Sequence, residues 1–223
     1  MNLSRYIDHT VLKPTTTSTD IEKCCAEAIE YDFFAVCVPP SFVKNSVSIL
    51  AGSPQKIATV IGFPFGYSVV AAKLEEAKQA IADGAHELDV VINLGALKND
   101  DWDYLQSEMK TILEPVRKEG RLLKVIVESG VLTNEEIIRC CGIYGGLGVD
   151  FMKTSTGYAE KGASTAALQL MRQHLPSSTR LKASGGIRTY HHAVQLIEAG
   201  ADRLGCSASV AIVKGDTSAA KGY

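Results

Sequence analysis

Two lysines in this chain occupy settings where an ammonium group is hard to accommodate. Lys153 lies in "DFMKTSTG" (150–157) and Lys182 in "RLKASGG" (180–186); each stretch reads as a short strand entering a turn, with the lysine in its apolar half. Lysine is almost never fully buried without a partner. Two carboxylates have similar surroundings: Asp8 in "RYIDHT" (5–10), and Asp89 in "HELDVVIN" (86–93), between Leu88 and Val90. Glu87, two residues before Asp89, shares its face of the strand, and Glu128 near the end of "LLKVIVES" (122–129) is a further candidate. If these charges meet in one pocket, they are tolerated as a hydrogen-bonded set. One reading is a structural ion-pair network. The other is catalytic. Like charges side by side disfavour protonation of both amines, so one stays neutral near pH 7. A neutral lysine attacks carbonyl carbon and forms a Schiff base.

A second constellation points to an anion. "STG" (155–157), "ASGGIR" (183–188) and "GCSAS" (205–209) are three glycine-bearing turns, each after a predicted strand. Gly157, Gly185, Gly186 and Gly205 allow close backbone approach, and Thr156 and Ser207 add hydroxyls. Together they predict a phosphorylated small-molecule substrate. The six cysteines (Cys24, Cys25, Cys37, Cys140, Cys141, Cys206) form no C-x-x-C pair, and no Cys/His spacing predicts a metal site. They read as reduced thiols of an intracellular chain.

The elements that must carry these residues alternate. Eight short β-branched runs (5–10, 33–38, 56–63, 86–93, 122–129, 149–156, 180–186, 201–207) are separated by amphipathic stretches such as "STDIEKCCAEAIEYD" and "TNEEIIRCCGIYGG". Alternation of this kind implies parallel strands with crossover helices, and eight units close into a (β/α)₈ TIM barrel. A single barrel domain over residues 1–223 is expected, with a short C-terminal tail ending in Tyr223. An open doubly wound sheet would call for a G-x-G-x-x-G turn after an early strand, which is absent; "GGLG" (145–148) precedes a strand and reads as a tight helix-to-strand turn. In this fold chemistry sits at the C-terminal strand ends, and phosphate binds after strands seven and eight. With 46% hydrophobic residues, a net charge of −2 and no Lys/Arg cluster, the 223-residue chain is not expected to bind nucleic acid. No membrane-spanning run or leader is read, so a cytoplasmic location is expected.

The segments "YIDHTVLKP", "AVCVPPSFV", "VIGFPFG", "ELDVVINLGALK", "KVIVESGVL", "DFMKTSTGY" and "LKASGGIRT" closely resemble those of the 2-deoxyribose-5-phosphate aldolases, in the family order. The resemblance runs from residue 6 to about 213. It implies a class I aldolase without metal or cofactor that reversibly cleaves 2-deoxy-D-ribose 5-phosphate to D-glyceraldehyde 3-phosphate and acetaldehyde. Lys153 then matches the Schiff-base lysine and Lys182 the lysine that depresses its pKa. Asp89 matches the carboxylate that assists proton transfer, Asp8 the acid beside the second lysine, and Cys37 a thiol near the site. Gly157, Gly185, Gly186 and Ser207 match phosphate-binding positions, and Tyr223 a C-terminal proton carrier. The chain departs from the pattern at "GYSVV" (66–70), usually more polar, and at Ala208, which removes a hydroxyl from the phosphate cradle. The resemblance implies a homodimer or higher homo-oligomer, with monomers also found in the family. A Schiff-base aldolase with another donor and a non-catalytic sugar-phosphate-binding barrel are the alternative readings.

Overall fold

Each predicted strand is present, parallel to its neighbours, and the eighth pairs with the first to close the sheet. The strands are β1 (Ile7–Thr10), β2 (Ala35–Val38), β3 (Lys56–Ile61), β4 (Glu87–Val91), β5 (Leu122–Ile126), β6 (Phe151–Lys153), β7 (Arg180–Ser184) and β8 (Arg203–Cys206). The helices among the described residues are α1 (Ser18–Glu30), α2 (Val43–Ile49), α3 (Val70–Ala82), α4 (Leu94–Lys98), α5 (Trp102–Lys118), α6 (Asn134–Leu147), α7 (Thr165–His174), α8 (Tyr190–Glu198) and α9 (Ser209–Val213). The structure, a computed structural model, describes residues 1–215; Tyr223 lies outside the described residues.

The sequence predicts longer strands than the barrel contains. Burial outlasts the ladder: Val127 and the polar Thr154, Ser155 and Thr156 stay buried after their strands have ended. The "GGLG" turn is also revised, since α6 continues through Leu147 and only Gly148 caps it. The short helices α2 and α4 lie in segments that carry too few turns for a clear helical period.

Alternation along each strand sorts side chains into two environments. Leu88 and Val90 join the apolar layer between barrel and helices, whereas Glu87 and Asp89 face the lumen charges. On α5 the buried Leu105, Met109, Ile112, Leu113 and Val116 recur at helical spacing and seat that helix on the sheet. Thr17 with Asp20, and Thr133 with Glu136, close reciprocal caps that fix where α1 and α6 begin, each worth about 1 kcal/mol.

One polar contact in the helix layer fixes the strand that carries Asp89. The buried Lys73 Nζ, from α3, donates to the Val91 carbonyl at 2.8 Å and to Glu108 Oε1 of α5 at 2.7 Å. Glu108 Oε2 accepts the Asn93 N–H at 3.2 Å, so two helices clamp the C-terminal end of β4. Gly62 makes room: a Cβ there would lie 2.7 Å from Lys73 Cε.

Candidate active site

Register brings the two lysines side by side. Lys153 on β6 is the direct partner of Lys182 on β7, and Lys182 is in turn the partner of Arg203 on β8. All three side chains are buried, as are Asp8, Glu87, Asp89 and Lys124. Lys153 Nζ and Lys182 Nζ both donate to Asp89 Oδ2, each at 2.8 Å. The other oxygen of Asp89 accepts from Lys124 Nζ at 2.6 Å. Lys182 also pairs with Asp8, which is held from its far side by Arg203. Arg203 Nε reaches Asp8 Oδ1 at 2.8 Å, its two terminal nitrogens reach Glu87 at 3.3 and 3.2 Å, and its guanidinium lies 3.7 Å from the Phe34 ring centroid. Lys124 closes the circuit on Glu87 Oε2 at 2.6 Å.

Glu87 joins the network, as its place on the face of Asp89 predicts, but the sequence-based set is too small: Lys124 and Arg203 belong to it as well. Counting formal charges, three carboxylates (Asp8, Glu87, Asp89) face three cations (Lys124, Lys182, Arg203) besides Lys153. The network balances when the Lys153 amine is neutral. Protonating Lys153 would leave one surplus positive charge out of water, which is costly.

The individual environments agree. Burial opposes the charge of Lys153, and the Lys182 charge adds to it; Asp89 offsets only part, so the amine is held below the usual lysine range. Lys182 is buried too, yet Asp8 and Asp89 more than reverse that penalty and keep it protonated. Burial works against the Asp89 carboxylate, but Lys124, Lys153 and Lys182 together hold it well below the carboxylate range. Asp8 likewise stays ionised against burial, through Arg203 and Lys182.

Above this network lies a cavity on the C-terminal side. Its wall includes Lys153, Thr156, Gly157, Gly185, Gly186, Gly205 and Ser207, so seven residues singled out from sequence surround one space. Asp8, Asp89 and Lys182 lie behind the wall, reached through Lys153. Cys37 is not on the wall; it is buried with Leu12, Ala58 and Val60, and burial pushes its thiol up. Ser209 of "GCSAS" is also turned away, donating to the Cys206 carbonyl at 2.8 Å and meeting His9 Nδ1 at 2.9 Å, which leaves Ser207 as that turn's hydroxyl at the cavity. Arg188 lines the cavity beside the glycines and makes no ion pair among the described residues. The "GYSVV" departure follows β3 and does not line the cavity; Tyr67 is exposed and stacks on Phe65 with centroids 5.5 Å apart. Among the described residues no group of three or more His, Cys, Asp or Glu is placed to hold a metal ion, and no helix is long and apolar enough to cross a membrane.

A closed parallel barrel with a buried lysine, its pKa held below the usual lysine range, at the bottom of its C-terminal mouth defines a barrel enzyme equipped for nucleophilic attack on a carbonyl. The profile of the DeoC/LacD family aldolases matches residues 3–215, and the chain belongs to that family. It is 46% identical over 217 residues to the deoxyribose-phosphate aldolase of Thermococcus gammatolerans, covering 96% of each chain. Over 223 residues it is 45% identical to that of Brevibacillus brevis, covering both chains completely. The tetrameric deoxyribose phosphate aldolase of Aeropyrum pernix superposes with a TM-score of 0.90 at 30% identity, covering 97% of this chain and 91% of that one.

Proposed function

We propose that this chain is a class I aldolase that reversibly cleaves 2-deoxy-D-ribose 5-phosphate to D-glyceraldehyde 3-phosphate and acetaldehyde. The observation that carries the reading is the charge balance of the buried network, which is complete only with a neutral amine on Lys153, the network's one member at the cavity wall. Relatives of near-equal length that carry the name deoxyribose-phosphate aldolase support the substrate.

Lys153 Nζ attacks C1 of the open-chain sugar, and loss of water gives an iminium ion. As the C3 hydroxyl loses its proton, the C2–C3 bond breaks and its electron pair enters the iminium, leaving an enamine of acetaldehyde on Lys153. Protonation at carbon and hydrolysis release acetaldehyde and restore the amine. Asp89 anchors the reacting nitrogen, and Lys182, fixed between Asp8 and Asp89, supplies the positive charge that keeps it unprotonated. Gly157, Gly185, Gly186, Gly205 and Ser207 form the phosphate cradle, with Arg188 as its cation. A cytoplasmic homo-oligomer is the form this reading expects, on the strength of the tetrameric relative. Tyr223 is assigned no step here, being outside the described residues.

The direct test is borohydride reduction in the presence of acetaldehyde, followed by peptide mapping. An ethyl group on Lys153 is the expected result. Labelling of Lys182 alone would exchange the two roles, and an unlabelled folded protein would end the aldolase reading.

A backbone contact makes the phosphate cradle testable as well. Gly162 packs on Gly185 so closely that a Cβ at 162 would lie 2.2 Å from the Gly185 carbonyl oxygen. Neither backbone can step aside cheaply. Gly162→Ala is expected to raise KM for the phosphorylated sugar about tenfold or more, because small misplacements of binding groups are expensive. Unphosphorylated deoxyribose, which does not use the cradle, should be affected much less. An equal effect on both sugars would count against this location for the phosphate.

A further inference from the structure

Asp89 is badly placed to take a proton from the sugar. Both of its oxygens are occupied by lysine nitrogens, and it lies behind the cavity wall. Cleavage nevertheless requires that the C3 hydroxyl lose its proton.

Glu128 offers a route through the wall. It follows β5 and adopts φ +55°, ψ +55°, a left-handed conformation that non-glycine residues rarely keep without a reason. The flanking N–H groups of Val127 and Ser129 are tied to the carbonyls of Lys153 and Thr154 at 3.1 and 2.7 Å, which holds the turn against β6. The buried carboxylate thereby faces the segment after Lys153. Its two oxygens accept the Thr156 N–H at 3.3 and 3.2 Å, and Oε2 also takes the Thr156 hydroxyl.

Proton inventory at Thr156 then gives a direction. The hydroxyl hydrogen is committed to Glu128, and Oγ1 accepts the Tyr158 N–H at 3.1 Å. What remains on Oγ1 is one lone pair, on a residue of the cavity wall shared with Lys153. Such an oxygen accepts from a substrate hydroxyl and has no hydrogen left to donate to it.

We propose that Glu128, acting through Thr156 Oγ1, accepts the proton of the substrate's C3 hydroxyl as the C2–C3 bond breaks; this rests on the aldolase reading above. The C3 O–H bond breaks and its proton joins Thr156 Oγ1, while the hydrogen already on Oγ1 moves to Glu128 Oε2. C3 becomes the new carbonyl, and the C–C electron pair goes to the iminium on Lys153. Glu128 returns its proton to water once the aldehyde has left. Burial raises the Glu128 carboxyl above its ordinary range, countered in part by Thr156 and Lys153, which suits a group that must accept a proton and then give it up. Glu128 is a positioning residue in this scheme, since only Thr156 touches the sugar.

The test separates two half-reactions. Making the imine and exchanging the methyl hydrogens of acetaldehyde with deuterated water involves no substrate hydroxyl; cleavage of the sugar phosphate does. Glu128→Gln keeps the shape and the acceptor but has no site for the proton. It is expected to slow cleavage by about 100-fold or more while acetaldehyde exchange stays within about threefold of wild type. Thr156→Val should show the same split, and Thr156→Ser should restore cleavage, so this second pair decides if Glu128→Gln does not fold. Cleavage within about tenfold of wild type in Glu128→Gln or Thr156→Val would overturn the proposal, as would parallel loss of both half-reactions. Wild-type protein that traps no acetaldehyde would instead remove the parent reading.

Discussion

Lys153→Leu is expected to reduce aldol cleavage by about four orders of magnitude or more and to leave the fold intact, because removing a covalent nucleophile removes the whole intermediate. The second half of that expectation is the unusual part. Deleting a buried lysine that bonds a buried carboxylate ordinarily costs several kcal/mol, since a partner is left unpaired. Here the three carboxylates Asp8, Glu87 and Asp89 keep three cations in Lys124, Lys182 and Arg203. Asp89 Oδ2 keeps its bond to Lys182 when Lys153 is gone. The variant should therefore unfold in urea within about 1 kcal/mol of wild type. Steady-state cleavage, borohydride trapping and denaturant unfolding on one preparation decide the matter. A folded variant that still turns over refutes the nucleophile, and one that loses about 3 kcal/mol or more refutes the neutral amine.

Lys182→Met should behave in the opposite way, at some cost to both stability and rate. Without this cation the same three carboxylates face only Lys124 and Arg203, and Asp8 and Asp89 each lose a bond. Breaking a buried pair of this kind costs about 3–5 kcal/mol, less whatever Lys153 recovers by taking up a proton. That proton is the kinetic consequence. Burial and then the Lys182 charge hold Lys153 low, and removing that charge raises the Lys153 pKa. Only the neutral amine attacks a carbonyl, so activity appears as pH rises through that pKa and is lost below it. The variant's pH–rate curve should be displaced toward higher pH, with kcat/KM at neutral pH lower by about two orders of magnitude and partly recovered in alkali. A lowered rate with an unmoved pH profile would mean that Lys182 supports the fold without tuning Lys153.

Much of this arrangement can be read from residue types alone, for a physical reason. A charged residue in the middle of a β-branched run violates the burial rule, and Asp8, Asp89, Lys153 and Lys182 all do so. Lys124 in "LLKVIV" breaks the same rule and was open to the same inference; Arg203, in the polar-edged "ADRLGC", gives a weaker signal. What sequence does not carry is which carboxylate oxygen meets which nitrogen. That follows from register: Lys153 opposite Lys182, Lys182 opposite Arg203, Asp89 opposite Lys124. Tertiary packing also decides that Cys37 is buried off the cavity wall and that Ser209, at the start of α9, turns toward His9. Of the seven wall residues Lys153 is legible by the burial rule, and the other six because glycines and hydroxyls at the ends of strands six to eight must gather at one end of any barrel. The left-handed backbone of Glu128 leaves no such trace, since nothing in "VIVESG" requires it.

The charged layer of Asp8, Glu87, Lys124 and Arg203 also closes the barrel from beneath. The reaction chamber is thus a cul-de-sac, and everything that enters or leaves passes one mouth. On the reading proposed above, bond cleavage leaves the two-carbon fragment tethered to Lys153, which bonds the charged layer through Asp89, and the phosphorylated fragment against the glycine wall. Water for hydrolysis has to arrive by the route the phosphorylated aldehyde vacates. That reading expects ordered product departure, glyceraldehyde 3-phosphate first and acetaldehyde second, which product-inhibition patterns check. In the synthetic direction the same reading expects acetaldehyde to bind first and a phosphorylated aldehyde that seats early to block the passage, so inhibition by excess acceptor is the expected result.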